Sequence, residues 1–355
     1  MWFRYLLDTL LIFRVGPYDG SDGYVYKYDI TTGIWTDISP VLCKVFPLIS
    51  LRALLMLFIA GHDRYFGFGG LAVDLKKPGI IMVAALNSWW PDGQIWRSTD
   101  SGATWSRLWA WTNSPNLRDK YYTWDTSLAP WLSGLVGDSQ VGWMMEALVI
   151  DPFDSDHWLY GTGTSIWGGH DLTTWDTKHN VSIKSLADGI EETVVRALIS
   201  PPSGPKLFSG LGDVGGFSHI DLDKAPSSAY AKPPFSVTVS LDYAGNKPST
   251  VVRPRYAAAI LTLNGVQVRI GGTSIAFRQI AVSYDSGVSW SQDYDVPVGV
   301  SGGAVAISAD ADTTLWRDAG TNIVKYSRYT NAFTASIGIP PGAVMASDKK
   351  VRSFC

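Results

Sequence analysis

Apolar positions along the chain fall in short runs rich in Val, Ile, Tyr, Trp and Thr, broken by Gly, Asp, Asn and Pro. Apolar residues spaced three and four apart, which would mark amphipathic helices, are scarce. Branched and aromatic side chains suit a pleated surface, and Gly, Asp and Pro suit tight turns. The pattern therefore predicts β-strands joined by turns.

The strand pattern repeats. One copy, "LAVDLKKPGIIMVAALNSWWPDGQIWRSTDSGATWS", starts at Leu71, and a second, "ALVIDPFDSDHWLYGTGTSIWGGHDLTTWDT", at Ala147. A third, "ALISPPSGPKLFSGLGDVGGFSHIDL", starts at Ala197, and a weaker fourth, "AVAISADADTTLWRDAGTNIVKYSRYT", at Ala304. Each reads as a strand, a Pro/Asp/Gly turn, a second strand ending in Gly or Ala, a loop, and a third strand. One such antiparallel unit cannot bury both its faces. Radial stacking of several does so, and this predicts an all-β fold of the β-propeller type.

The turn after the third strand is specific. "STDSGATW" (Ser98 to Trp105) fits the Asp-box pattern S-x-D-x-G-x-T-W, and "SYDSGVSW" (Ser283 to Trp290) fits with one conservative change. "KYDITTGIW", around Asp29, is a degenerate relative. In such a turn the carboxylate accepts backbone N–H bonds, Gly supplies a positive φ, and Trp packs back on the blade. Asp100 and Asp285 are therefore expected to be structural.

Composition narrows the class. With 355 residues, 46% apolar and 17% charged, the chain can bury a large core and is not disordered by composition. A net charge of −3 and no Lys/Arg run argue against a nucleic-acid surface. Sixteen Trp and sixteen Tyr exceed what a core needs, and flat aromatic faces suit sugar rings, although half or more of the Trp are expected to be blade anchors. Two cysteines, Cys43 and Cys355, make neither a disulfide framework nor a metal cluster, and no cofactor or metal is implied. Asp8 interrupts the apolar N-terminus and no small-residue cleavage site follows, so no signal peptide is read there. The apolar stretch Val45 to Gly61 holds Pro47 and Arg52 and is short for a bilayer span, so no membrane association is expected.

Chemistry concentrates in "GLGDVGGFSH", Gly210 to His219, where Asp213 stands among four glycines. On the residues alone Asp213 is either a working acid or a turn-capping carboxylate.

Flanking text gives a family. "YFGFGGLAVDLKKPG", "LNSWWPDGQIWRSTDSGATWS", "GWMMEALVIDPFDSDHWLYGTG", "GGHDLTTWDTKHNVSIKSLADGIEE", "GDVGGFSH" and "VSLDYAGN" together resemble the fungal xyloglucanases of glycoside hydrolase family 74. That group includes endo-acting enzymes and reducing-end-specific cellobiohydrolases. The resemblance implies tandem seven-bladed propellers facing each other across a sugar-binding cleft, and inverting hydrolysis of β-1,4-glucan backbone bonds by two aspartates, one from each propeller. In such a pair one carboxylic acid protonates the glycosidic oxygen and the other carboxylate activates water. The family's acid lies in a G-D-x-x-G-F turn, which places the role on Asp213 here, with partial burial expected to raise its carboxyl pKa. The family's other aspartate lies in an early T-D-x-G-G-x-Y turn that this sequence does not contain; Asp19 and Asp22 resemble a later blade and do not replace it.

The same resemblance predicts residues 1–195 as late blades of the first propeller and 196–355 as early blades of the second. Two stretches, about 41–64 and 259–278, depart from the family pattern, as does the ending "SDKKVRSFC". The expectation is an incomplete gene model, lacking the base and inactive by itself. Secretion, a monomeric state and xyloglucan or a related plant cell-wall polysaccharide as partner are implied by the family. A non-catalytic Asp-box propeller that binds glycans or proteins is the alternative.

Further substrate-binding candidates follow from position. Trp89 and Trp90 precede the turn Pro91-Asp92-Gly93, and Trp124 lies in the aromatic loop "YYTWDTSLAPW". Trp167 is read at the repeat position of the Asp213 turn and expected to project toward the cleft. His170, beside Gly169 and Asp171, is either a hydrogen-bond partner for sugar hydroxyls or a satisfied loop histidine, and Asp242 and Tyr243 fit a strand-to-loop position near the cleft. Glu191 and Glu192 read as part of a linking segment. Asn180-Val181-Ser182 is a glycosylation sequon in form.

Overall fold

Turn residues at regular intervals force the chain to double back, and each predicted repeat folds as an antiparallel meander in the computed structural model. The structure describes residues 2–6, 9–14, 23–41, 67–88, 92–112, 118–136, 140–190, 192–230, 236–254, 261–263, 266–268, 280–291, 303–317, 323–327, 332–335 and 344–355. The chain divides into two compact units, Met1–Glu191 and Glu192–Cys355.

In the first unit, β1 (Trp2–Leu6), β2 (Thr9–Arg14), β3 (Tyr24–Asp29) and β4 (Ile34–Asp37) form one sheet in chain order. The repeat from Leu71 forms β5 (Phe68–Val73), β6 (Ile81–Ala85), β7 (Ile95–Ser98) and β8 (Ser106–Arg107). A short pair, β9 (Trp109–Trp111) and β10 (Arg118–Lys120), follows, then β11 (Tyr122–Asp125) and the helix α1 (Leu132–Val136). The repeat from Ala147 forms β12 (Leu148–Asp151), β13 (Asp154–Gly161) and β14 (Ile166–Gly169), then the helix α2 (Thr174–Lys178) and β15 (Val181–Ser185). β11 adds to this sheet, parallel to β15.

In the second unit, the repeat from Ala197 forms β16 (Val195–Ile199), β17 (Leu207–Leu211) and β18 (Gly216–His219). β19 (Asp242–Ala244) and β20 (Lys247–Pro254) come next, then a hairpin of β21 (Leu261–Leu263) and β22 (Val266–Val268). β23 (Ile280–Ser283) pairs with β20. The last meander is β24 (Ala304–Ile307), β25 (Thr313–Arg317), β26 (Ile323–Ser327) and β27 (Ala332–Ala335). Of the two atypical stretches, residues 42–64 lie outside the described residues, and the second is described only at the β21–β22 hairpin.

Register shows how the blades correspond. Val83 pairs with Trp96, Tyr160 with Trp167 and Ser209 with Phe217 across the second and third strands. These three aromatics are buried, with Trp96 at 1%, Trp167 at 0% and Phe217 at 7% exposure. Trp109, Trp158 and Trp316 are also fully buried. Much of the Trp excess thus anchors blades, and truncating one such side chain to Ala is expected to cost about 3–5 kcal/mol.

Candidate functional site

Carboxylates in this chain have two fates, and the Asp-box turns show the first. Asp100 accepts bonds from Ser98 Oγ (2.8 Å), Thr104 N (2.8 Å) and Thr104 Oγ1 (2.6 Å), while Ser98 Oγ takes the Gly102 N–H at 2.8 Å. Asp285 repeats this with Ser283 Oγ at 2.8 Å, Ser289 N at 2.8 Å and Ser289 Oγ at 2.5 Å. Gly102 and Gly287 sit at φ +86° and +82°, and a Cβ on Gly102 would meet Ile38 at 2.8 Å. The Thr104 hydroxyl and amide, with Ser98, hold the Asp100 pKa down to about 2. Both carboxylates are engaged in their own turns, as the motif predicts.

Asp213 has the other fate. It lies between β17 and β18 at φ +64°, a region that Asp tolerates better than most residues. Bonds fix the turn on both sides of it. Gly212 N donates to Val194 O at 2.9 Å, Val214 N to Gly212 O at 2.7 Å, and Gly215 N to Ser236 O at 3.0 Å. The side chain itself is exposed, and among the described residues no hydrogen bond or ion pair reaches its carboxylate. Expected partial burial is not found: the glycines that bring the backbone close leave the carboxylate on the surface.

Behind this turn lies a packed support. Tyr230 N donates to Gly216 O at 3.0 Å and Tyr230 Oη to Phe217 O at 2.8 Å, while Thr238 N donates to Leu211 O at 3.0 Å. The buried Arg253 guanidinium packs over the rings of both Tyr230 (4.7 Å) and Trp290 (4.6 Å), which themselves meet edge to face at 5.1 Å. Burial pulls its pKa down to about 9, which leaves it cationic at neutral pH. A Cβ on Gly216, at φ +131°, would lie 1.9 Å from Ser209 O, so only glycine fits there. On β18, His219 Nε2 lies 2.9 Å from Ser209 Oγ, and burial lowers its pKa.

The other sequence-predicted residues divide. Trp89 and Trp90 lie outside the described residues, as does Glu191; Glu192 is exposed. Trp124 is half-buried on β11 and stacks on Trp167 with ring centroids 4.1 Å apart. Trp167 itself is a correction. It pairs at the position of Phe217 rather than in the loop equivalent to Asp213, and it is fully buried, with Nε1 donating to Thr162 Oγ1 at 3.1 Å. It supports Trp124 and presents no face outward.

His170 is exposed and stacks on His157 at 4.1 Å, while His157 Nδ1 lies 3.0 Å from Asp151 Oδ2. Asp242 is also corrected, because its carboxylate is occupied. Lys349 Nζ donates to it at 2.5 Å, Ile307 N at 2.8 Å and Ser347 Oγ at 3.1 Å. The same ammonium lies 4.6 Å from the Tyr243 ring centroid. These two residues join β19 to β24 and to the chain's last residues.

Sequence reasoning passed over Asp92. It occupies the loop between β6 and β7, the same inter-strand loop that carries Asp213 in its own blade. Its side chain is 1% exposed and ion-paired with Arg118, and it accepts N–H bonds from Gly93 (2.7 Å), Val141 (2.9 Å) and Gly142 (3.1 Å). Tyr122 Oη lies 3.5 Å away. Burial pushes the Asp92 pKa up to about 6, against the opposing pull of Arg118 and the three amides. The signal available was the turn sequence Pro91-Asp92-Gly93, but its partners are remote in sequence.

Among the described residues no group of three or more His, Cys, Asp or Glu is placed to hold a metal ion, and no helix is long and apolar enough to cross a membrane.

No model of a known protein family matches the chain. Individual relatives do. The chain is 46% identical over 354 residues to a xyloglucanase of Hypocrea jecorina, a match covering 95% of this chain and 38% of that protein. It is 42% identical over 342 residues to a xyloglucanase of Paenibacillus sp, covering 94% of this chain and 30% of the relative. The fold matches the crystal structure of the GH74 xyloglucanase from Xanthomonas campestris with a TM-score of 0.75 and 27% identity, over 96% of this chain and 43% of that one. The chain thus spans well under half the length of the relatives it matches. By sequence and by blade structure the chain is homologous, over nearly its whole length, to part of the glycoside hydrolase family 74 xyloglucanases.

Proposed function

We propose that this chain carries the acid half of an inverting hydrolytic site acting on the β-1,4-glucan backbone of xyloglucan outside the cell. The single observation that carries the reading is the contrast among carboxylates. Asp100 and Asp285 satisfy their own turns, Asp92 is buried on Arg118, and Asp213 is exposed on a turn built by other groups. A carboxyl that stabilises nothing locally is available to give a proton to a glycosidic oxygen.

The chemistry assigns three tasks to this region. Asp213 protonates the leaving oxygen as the C–O bond breaks. Gly212, Gly215 and Gly216 keep side chains out of the sugar's approach, and the cluster of Tyr230, Arg253 and Trp290 keeps the turn in place. A second carboxylate, roughly 6.5–9.5 Å from the acid, activates the attacking water in an inverting site. None of the residues described above is assigned that role.

Reducing-end release from xyloglucan tests the reading, with the chain and its Asp213→Asn variant assayed side by side and oligosaccharide binding measured by calorimetry. Loss of the acid is expected to lower any turnover about 10²–10⁴-fold while binding is retained. Equal turnover by the two proteins would remove Asp213 from the role. Absence of both turnover and xyloglucan binding would remove the carbohydrate reading itself.

A further inference from the structure

The helix α2 ends where His179 takes the left-handed conformation, φ 49° and ψ 45°, and donates its N–H to Trp175 O. Its ring is held as well, with Nε2 2.9 Å from Arg107 O and the ring stacked on Tyr121 at 4.0 Å. The chain leaves this cap in a fixed direction and enters β15. Side chains alternate along a strand, so alternate residues share a face. Val181 is 1% exposed and anchors the segment, whereas Asn180 and Ser182 on either side of it are both exposed. The backbone of Asn180 is tied through its carbonyl to Thr174 Oγ1 at 2.5 Å, and Ser182 N donates to Asp171 at 2.9 Å. Among the described residues no hydrogen bond engages the Asn180 carboxamide or the Ser182 hydroxyl.

Asn180-Val181-Ser182 is the only Asn-x-Ser/Thr triplet in the 355 residues with a residue other than proline in the middle, and Ile183 follows it. We propose that Asn180 is an N-glycan attachment site and that the folded blade is built to carry the glycan. The inference rests on the extracellular reading above, since attachment takes place in the secretory pathway. Asn180 Nδ2 attacks C1 of an oligosaccharide linked to a lipid diphosphate. The N–C1 bond forms, the bond from C1 to the diphosphate oxygen breaks, lipid diphosphate leaves, and the amide gives up one proton with no change of oxidation state. Transfer precedes folding, and the structure supplies the second requirement. With Val181 holding the strand down, Asn180 and Ser182 face solvent, and a glycan there displaces no core contact.

The test is expression of the chain behind a heterologous secretion leader in a eukaryotic host, so that acceptor competence is read separately from the chain's own localisation. Treatment with peptide-N-glycosidase F is expected to remove one glycan's mass and convert Asn180 to Asp. Asn180→Gln and Ser182→Ala should both abolish the shift, and Ser182→Thr should keep it. The glycosylated and enzymatically deglycosylated proteins should melt within about 2 °C of each other. A chain that enters the secretory pathway with Asn180 unmodified in both the parent and Ser182→Thr would overturn the proposal. A glycosylated form that fails to fold while the deglycosylated form folds would overturn it too. If the leader-driven chain is glycosylated but the protein in its own cells is not exported, the extracellular reading fails and the acceptor assignment stands.

Discussion

Among the described residues two blades carry an aspartate in the loop between their second and third strands, Asp92 and Asp213, and the two could hardly be treated more differently. In the first unit Asp92 is buried, with Arg118 and three backbone amides closing over it. In the second unit Asp213 stands in solvent on a shorter loop, with every nearby backbone bond made by its neighbours. The difference lies in what surrounds the loop. The loop at Asp92 is crossed by residues 141–142 and by Arg118 on β10, so its carboxylate becomes the hub joining three segments. The loop at Asp213 is closed by residues 236–238 through backbone bonds alone, which leaves the side chain without a structural task. One blade position thus yields a structural anchor in one unit and a candidate acid in the other.

The largest effect should come from truncating the two residues in turn. Asp92→Ala leaves Arg118 unpaired and strips partners from the Gly93, Val141 and Gly142 amides. Breaking such a buried pair costs about 3–5 kcal/mol. Asp213→Ala removes an exposed side chain with no partner among the described residues and should cost at most about 1 kcal/mol, chiefly the strain of Ala at φ +64°. Denaturant unfolding of both variants decides it. Equal destabilisation would mean that Asp213 has a structural role after all. Gly216→Ala comes next, at ~2 kcal/mol or more, because its Cβ would run into Ser209 O and the Tyr230 ring. Together with weaker binding of xyloglucan oligosaccharides, that loss would show that the turn's geometry, as well as its carboxylate, is under constraint.

What was legible in the sequence follows the same division between local and remote. Asp100 and Asp285 could be read correctly because every partner lies within four residues, so the motif contains its own physics. The blades could be read because turn residues and buried aromatics recur with the register. Asp92 could not, since Arg118 is 26 positions away and Val141 is 49. Asp242 looked available for the same reason: Lys349, which occupies it, lies 107 residues downstream. Trp167 was misplaced because both loops hold four residues and local sequence does not say where the third strand starts; only strand pairing shows that Trp167 matches Phe217. The exposure of Asp213 belongs to the same class, since it depends on how residues 236–238 pass the turn.

The last predicted effects are the pH dependences, and they separate the carboxylates by sign. Burial raises the Asp92 pKa from its ordinary 3.8 to about 6, so between these values the folded protein keeps a proton that the unfolded chain has lost. Its contribution to stability is therefore full below pH 4, falls as pH rises toward 6, and is flat above that. Asp100 runs the other way. Its pKa is lowered to about 2 by Thr104 and Ser98, so its contribution is full above pH 4 and is lost as pH falls toward 2. Melting temperatures of the parent, Asp92→Asn and Asp100→Asn from pH 2 to pH 8 expose both slopes. The difference between parent and Asp92→Asn should change between pH 4 and 6 and nowhere else. The difference between parent and Asp100→Asn should change only below pH 4. A flat Asp92 difference would mean that Arg118 and the three amides cancel the effect of burial and leave the folded pKa at its ordinary value, whereas a difference that changed only below pH 4 would mean that they outweigh burial and keep the pair ionised.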